Sequence, residues 1–187
     1  MSDDRLENLL GALALAMSDS LASAAETAAG HPGALAAGLA VLAQEPGLGI
    51  EQLRRSLART QSATVRIVDQ LVAEGHAERR AGHDHRSISV VLTDQGTATA
   101  VRVLDARASV LRGALAVLDA GERTAMTAVL EKVLAAVTTS RVHAEQICRL
   151  CDVGACPQRT CPVELAAAEP RQGAGPAPRP IAGRRAQ

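Results

Sequence analysis

The chain contains no Phe, Tyr or Trp among its 187 residues. Its core therefore has to come from Leu, Val, Ile and Ala, and much of the 47% apolar fraction is Ala. Such a core suits packed helices better than a sandwich of sheets. The expected fold class is mainly α. Net charge is formally zero, so any basic surface must be local.

Apolar spacing sets out the elements. Leu6, Leu9, Leu10, Leu13, Met17 and Leu21 form a helical stripe in a first helix over residues 3–29. Asp3, Asp4 and Glu7 outnumber Arg5 at its start, the wrong sign for a signal peptide. No apolar run reaches the length of a membrane span, so a cytoplasmic protein with no membrane partner is expected. A second helix covers 34–45 and stops before Pro46. A third covers 49–59, with Ile50, Leu53 and Leu57 inward. A fourth, over 60–75, is capped by Thr60 or Ser62 and ended by Gly75, with Val65, Val68, Leu71 and Val72 buried.

The period then changes. Residues 77–93 predict a hairpin in which Ile88, Val90 and Leu92 alternate with Ser87, Ser89 and Val91, around a polar turn at 82–86. Thr93 caps a long helix reaching about Leu118. Its two apolar stripes call for cover from its own domain and from another subunit. "DAGE" (119–122) is a capping box for a last helix whose face is Met126, Val129, Leu130, Val133, Leu134 and Val137.

The expected order is α-α-α-α-β-β-α-α: a winged helix-turn-helix with a helical dimerisation region. The expected divisions are a dimerisation helix (1–30), a DNA-binding lobe (31–96), dimerisation helices (97–140), a four-cysteine segment (141–165) and a disordered Arg/Pro/Gly tail (166–187).

A helix-turn-helix presents the start of its second helix to the major groove. Here that start is Thr60, Gln61, Ser62 and Thr64, all polar. Arg54, Arg55, Arg59 and Arg66 stand in a stretch with no acidic residue, which suits phosphate contacts. Arg86 lies in the turn of the hairpin, where a wing reaches the minor groove. The expected DNA-binding set is Arg59, Thr60, Gln61, Ser62, Thr64, Arg66 and Arg86. The bland alternative is that exposed Arg and Ser are solvated surface; it weakens because they coincide with this spacing and a following hairpin.

Residues 84–96, "DHRSISVVLTDQG", resemble the wing signature of the MarR (multiple antibiotic resistance regulator) family through Asp84, Arg86, Leu92, Thr93 and Gly96. "QSATVRIVDQLVAEGHAERR" before it is similar to that family's recognition helix. The resemblance extends by helix order from about Asp3 to Val137. It implies a homodimeric DNA-binding regulator, more a repressor than an activator, whose terminal helices interlock and whose two lobes read a pseudo-palindromic double-stranded operator. Val65 departs from the small hydroxylated residue the family often has before the helix arginine. The lack of aromatics departs from the pockets that many members use for flat phenolic effectors, so the effector, whether small molecule, metal or oxidant, stays open.

All four cysteines fall in "ICRLCDVGACPQRTCPVE" (147–164), spaced Cys-x2-Cys-x4-Cys-x4-Cys. A zinc knuckle has this spacing with His as third ligand, and in a cytosolic chain clustered cysteines favour metal or redox chemistry over structural disulfides. Cys148, Cys151, Cys156 and Cys161 are candidate zinc ligands, with Arg149 and Arg159 offsetting charge. An iron–sulfur cluster and metal-free redox thiols are the alternatives. His143 is a conceivable substitute ligand; His83 and His85 are expected to be solvated wing residues. No P-loop, HExxH, dinucleotide fingerprint or nucleophile elbow is present, so no enzyme is expected. A thiol- or metal-dependent redox protein, or an interaction module on a winged-helix scaffold, is the competing class.

Overall fold

The computed structural model describes residues 3–82, 88–156 and 159–168. The elements are α1 (Asp3–Ala29), α2 (Leu35–Gln44), β1 (Leu48–Gly49), α3 (Ile50–Leu57), α4 (Gln61–Ala73), β2 (Ala77–Ala81), β3 (Ile88–Leu92), α5 (Asp94–Leu115), α6 (Ala120–Val137), α7 (Arg141–Cys148) and α8 (Pro162–Ala168). The helices and hairpin follow the expected order. Three short elements were not foreseen: strand β1 and helices α7 and α8. Residues 166–168, expected in a disordered tail, close α8; 169–187 lie outside the described residues.

The core is aliphatic throughout. Leu35, Leu39 and Leu42 of α2, Leu53 and Leu57 of α3, Val68 and Leu71 of α4, Val90 of β3 and Val103 of α5 form one cluster. Each such side chain contributes about 1.5–3 kcal/mol relative to exposure. Ala25 and Ala29 close the cluster from the end of α1, which lies along α5 and α2. Alanine at these positions lets the helices approach closely.

The sheet order is β1-β3-β2, all antiparallel. β1 is too short for any periodic signal. It forms because Leu48 and Gly49 sit opposite Val90 and Ser89. In β3 the expected alternation is only partly seen: Val90 is fully buried, whereas Ile88 at the wing end is 52% exposed.

Of the expected α4 stripe, Val68 and Leu71 are fully buried and Val72 packs against the core, but its first position is wrong: Thr64, not Val65, faces inward. Val65 is 36% exposed. Thr64 can be buried because its hydroxyl donates to the Thr60 carbonyl (3.0 Å), leaving no unpaired polar atom.

A Schellman motif ends α4: the His76 amide donates to Leu71 O (2.8 Å) and the Gly75 amide to Val72 O (3.0 Å), with Gly75 at φ +74°. Thr93 then joins three elements. Its Oγ1 donates to Gly75 O (2.7 Å) and accepts from the Gly96 amide (3.0 Å), capping α5. Gly96 lies directly against the His76 peptide; a Cβ there would stand 1.9 Å from His76 O.

Beyond this junction α5 leaves the lobe. Its buried residues are Gly96, Thr99, Ala100 and Val103, all in the first half. Asp119 and Glu122 form the expected capping box of α6, yet α6 buries none of its residues. Val129, Leu130, Val133 and Val137 are 43–60% exposed, as is most of the leucine stripe at the start of α1.

One finding corrects the expectation about membrane-spanning runs. The helix over Asp4–Ala29 is long and apolar enough to cross a membrane, by length and composition only. Alanines extend its apolar window beyond the leucine stripe. A soluble helix or a leader passes the same test, and this helix packs on α5 and α2.

Gly96→Ala is expected to destabilise the fold by at least about 2 kcal/mol, because backbone must move to admit the methyl group. Chemical denaturation of purified protein measures this; a midpoint within error of the parent would contradict the close approach.

Candidate functional site

The first half of the site is the turn between α3 and α4. α3 ends at Ala58, which adopts the left-handed conformation (φ 52°, ψ 44°) and turns the chain sharply into Arg59 and Thr60. Thr60 is the N-cap of α4, its Oγ1 accepting from the Ala63 amide (3.2 Å). Ser62 Oγ lies 3.2 Å from Thr60 Oγ1. Arg59, Thr60, Gln61, Ser62 and Arg66 are all exposed. The helix start therefore offers exposed polar groups and the positive end of its dipole to solvent.

Thr64 leaves this set. It is fully buried with its hydroxyl turned back to the helix, so it has no path to a base edge. Arg86 lies outside the described residues, as do Asp84, His83 and His85.

The four arginines of this region are not equivalent. Arg54 is held by Glu51, one turn earlier, through two hydrogen bonds of 2.8 and 2.7 Å. Glu51 lies just outside the acid-free stretch and neutralises part of it. Arg55 is half-buried, and its Nε finds no partner among the described residues. Arg59 and Arg66 are exposed, and no carboxylate among the described residues pairs with either. Arg79 of β2 hydrogen-bonds to Asp69 of α4 (2.5 Å) and fixes the base of the wing against that helix. That positioning pair was not foreseen, because its partners are ten residues apart on different elements.

The second half is the cysteine segment. It does not sit beside the dimerisation helices alone, as expected, but docks on the lobe. Ser140 caps α7, which packs along α3. Leu150 packs against the main core cluster. Gln44 at the end of α2 donates to the Cys151 carbonyl (2.7 Å), and Gln146 of α7 donates to the Arg55 carbonyl (3.2 Å) in the last turn of α3. Asp152 folds the following loop by accepting from the Gly154 amide (2.9 Å).

All four cysteines line one cavity of ≈ 240 Å³, with Val41, Gln44, Ser56 and Arg149 among the other walls. Cys148 lies beside Cys151 and Cys156 beside Cys161, close enough for each to perturb the acidity of the other. None is in a disulfide. Among the described residues no three His, Cys, Asp or Glu side chains form a ready-made metal-holding group. The donor set is soft and fits a thiophilic metal, but the two pairs have to close on it. His143 does not join them; its Nδ1 bonds to Thr139, and it lines a separate cavity of ≈ 490 Å³ with Arg59.

The thiols differ in acidity. The neighbouring Cys148 thiol, and after it the charge of Arg107 of α5, lower Cys151 to about 6 against the cost of burial. Cys148 is raised by its neighbour Cys151 and by burial. Burial, then the neighbouring Cys161, push Cys156 up to about 11. Arg107 was not foreseen as a charge partner; only the fold brings it to the cysteines.

No family model matches the chain, and neither does any curated protein sequence. Solved structures do. A MarR family transcriptional regulator from Silicibacter pomeroyi is 29% identical, with a TM-score of 0.54, over 69% of this chain and 87% of that one. A MarR family protein of Mycobacterium tuberculosis, solved in complex with DNA, is 23% identical with a TM-score of 0.56, over 68% and 96%. The YusO protein from Bacillus subtilis is 21% identical with a TM-score of 0.62, over 73% and 99%. The chain has the MarR-type winged-helix fold.

In reduced, metal-free protein Cys151 is expected to react first with iodoacetamide. Its rate should rise through about pH 6, whereas Cys156 should react only as pH approaches about 11. Peptide mass spectrometry across pH distinguishes them; equal rates at neutral pH would remove the asymmetry.

Proposed function

We propose that this chain is a MarR family member: a sequence-specific regulator of transcription that binds double-stranded DNA as a homodimer on a pseudo-palindromic operator, and acts as a repressor. The observation that carries this reading is the start of α4. A capped helix end with exposed Thr60, Gln61 and Ser62, flanked by Arg59 and Arg66 that pair with no carboxylate among the described residues, projects from a winged-helix lobe. Its dimensions and chemistry suit a major groove. A solved relative of the same fold in complex with DNA supports it.

In this reading Arg59 and Arg66 bind phosphates and set the register of the helix. Gln61 and Ser62, with the free edge of Thr60, read bases. The wing, held to α4 by Arg79 and Asp69, carries Arg86 toward the minor groove. A second copy covers the bare apolar faces of α1 and α6. Faces of this extent are unstable in water, and a two-fold partner would set two reading helices against a two-fold site. Occupying a promoter in this way blocks transcription.

Selection of duplexes from a random library by the purified protein is expected to enrich one pseudo-palindromic sequence. Arg59→Ala should weaken binding to every duplex alike. It should make the slope of log K against log salt shallower by about 2 per dimer, one lost phosphate contact in each protomer. Gln61→Ala should instead relax preference at one base pair per half-site, by roughly 1–3 kcal/mol. Absence of any enrichment, with folded protein, would remove the regulator reading.

Leu130→Glu on α6 is expected to shift the sedimentation coefficient from dimer to monomer at micromolar concentration, since it places a charge on the proposed apolar contact. An unchanged dimer would move the interface elsewhere.

A further inference from the structure

The cysteine segment is anchored on two sides. On the lobe side Leu150, between Cys148 and Cys151, packs against the core cluster, Gln44 of α2 fixes the Cys151 carbonyl, and Gln146 reaches the last turn of α3. On the other side Cys161 is buried with Val163 of α8 and Ala144 of α7, in a small cluster against which Cys148 and Leu134 of α6 pack. Arg141 of α7 and Glu164 of α8 seal the cluster through three hydrogen bonds of 2.7–3.0 Å.

We infer that Cys148, Cys151, Cys156 and Cys161 together bind one thiophilic metal centre, and that this centre fastens α6 and α8 to helix α3, directly behind the reading helix. Closing four thiolates around a metal draws the end of α7, the loop after it and the start of α8 to a common point. Each S–H releases its proton to solvent and each sulfur forms a bond to metal; no electrons are transferred. A zinc ion and an iron–sulfur cluster share this four-thiolate chemistry. Arg149 lines the cavity and offsets the negative charge that thiolates bring.

The consequence is linkage. The Gln146–Arg55 bond ends on a carbonyl in the last turn of α3, three residues before the left-handed Ala58 that aims α4. A filled site holds that turn still, so the loaded form presents the reading helix in one orientation. It therefore binds DNA more tightly than the stripped form, and DNA in turn tightens the metal. This last step rests on the DNA-binding reading above; the metal site and its hold on α3 do not.

The test uses full-length protein purified without oxygen. Zinc, iron and acid-labile sulfide are measured per chain, before and after reconstitution with zinc chloride. About one zinc per chain supports the site as an ion site; iron with labile sulfide supports it as a cluster site. Cys156→Ser/Cys161→Ser should lose the metal. A parent that holds no metal after reconstitution, or a double variant that holds as much as the parent, overturns the proposal. Hydrogen exchange is then compared in loaded and chelator-stripped protein. Amides of residues 54–60 should exchange faster when stripped. Gln44→Ala/Gln146→Ala should keep the metal but lose that difference. Equal exchange in loaded and stripped parent overturns the hold on α3. Finally, the selected duplex should bind the loaded parent roughly 10-fold more tightly than the stripped parent, a ratio that falls toward one in the glutamine double variant. Tighter binding by the stripped form overturns the direction. If neither form binds any duplex, the regulator reading fails while the exchange result still decides the hold on α3.

Discussion

One hydroxyl holds the winged lobe together. Thr93 Oγ1 donates to the carbonyl of Gly75, just past the end of α4, and accepts from the first turn of α5. The Thr93 amide donates to His76 O (3.0 Å), beside the point where Gly96 meets the same peptide. The end of α4, the last residue of the wing and the start of the long helix are thus fixed to one another within a few ångströms. Any larger residue at 96, or a side chain at 93 without a hydroxyl, would separate them. A cap alone contributes about 1 kcal/mol; here it also sets the angle between the lobe and the helix that leaves it.

Much of this frame was legible in the sequence because its signals are local. Thr93, Gly75 and the capping box at Asp119 and Glu122 act within a turn or two of themselves, and each appears where expected. The helix periods were equally plain. What misled was the face of α4. Val65 is the more hydrophobic residue, yet Thr64 is the buried one, because its hydroxyl returns to its own helix and removes the cost of burial. Apolar patterning cannot register a threonine that satisfies itself.

The site was legible only in part, for a related reason. Arg59, Thr60, Gln61 and Ser62 lie where the turn chemistry put them. The pairings that distinguish one arginine from another cross between elements or turns: Arg54 with Glu51, Arg79 with Asp69. The cysteine spacing marked four candidate ligands within one short segment, and the fold places all four on the wall of one cavity. Nothing in the spacing announced what that cavity would be built against. Gln44 and Gln146 lie 107 and 91 residues from their partners, and glutamines carry no pattern of their own. The docking of the segment on α3 is a property of the tertiary fold.

Helix α6 carries 18 residues without burying one. Its order cannot come from a core of its own, and isolated helices of this length are marginal in water. Whatever covers it also sets how firmly it holds α8 and, through α8, Cys161. With a second copy as that cover, the rigidity of the cysteine cavity becomes a function of protein concentration. A dilute chain would then carry a looser cavity than a concentrated one, and its own concentration would enter the chemistry of the thiols.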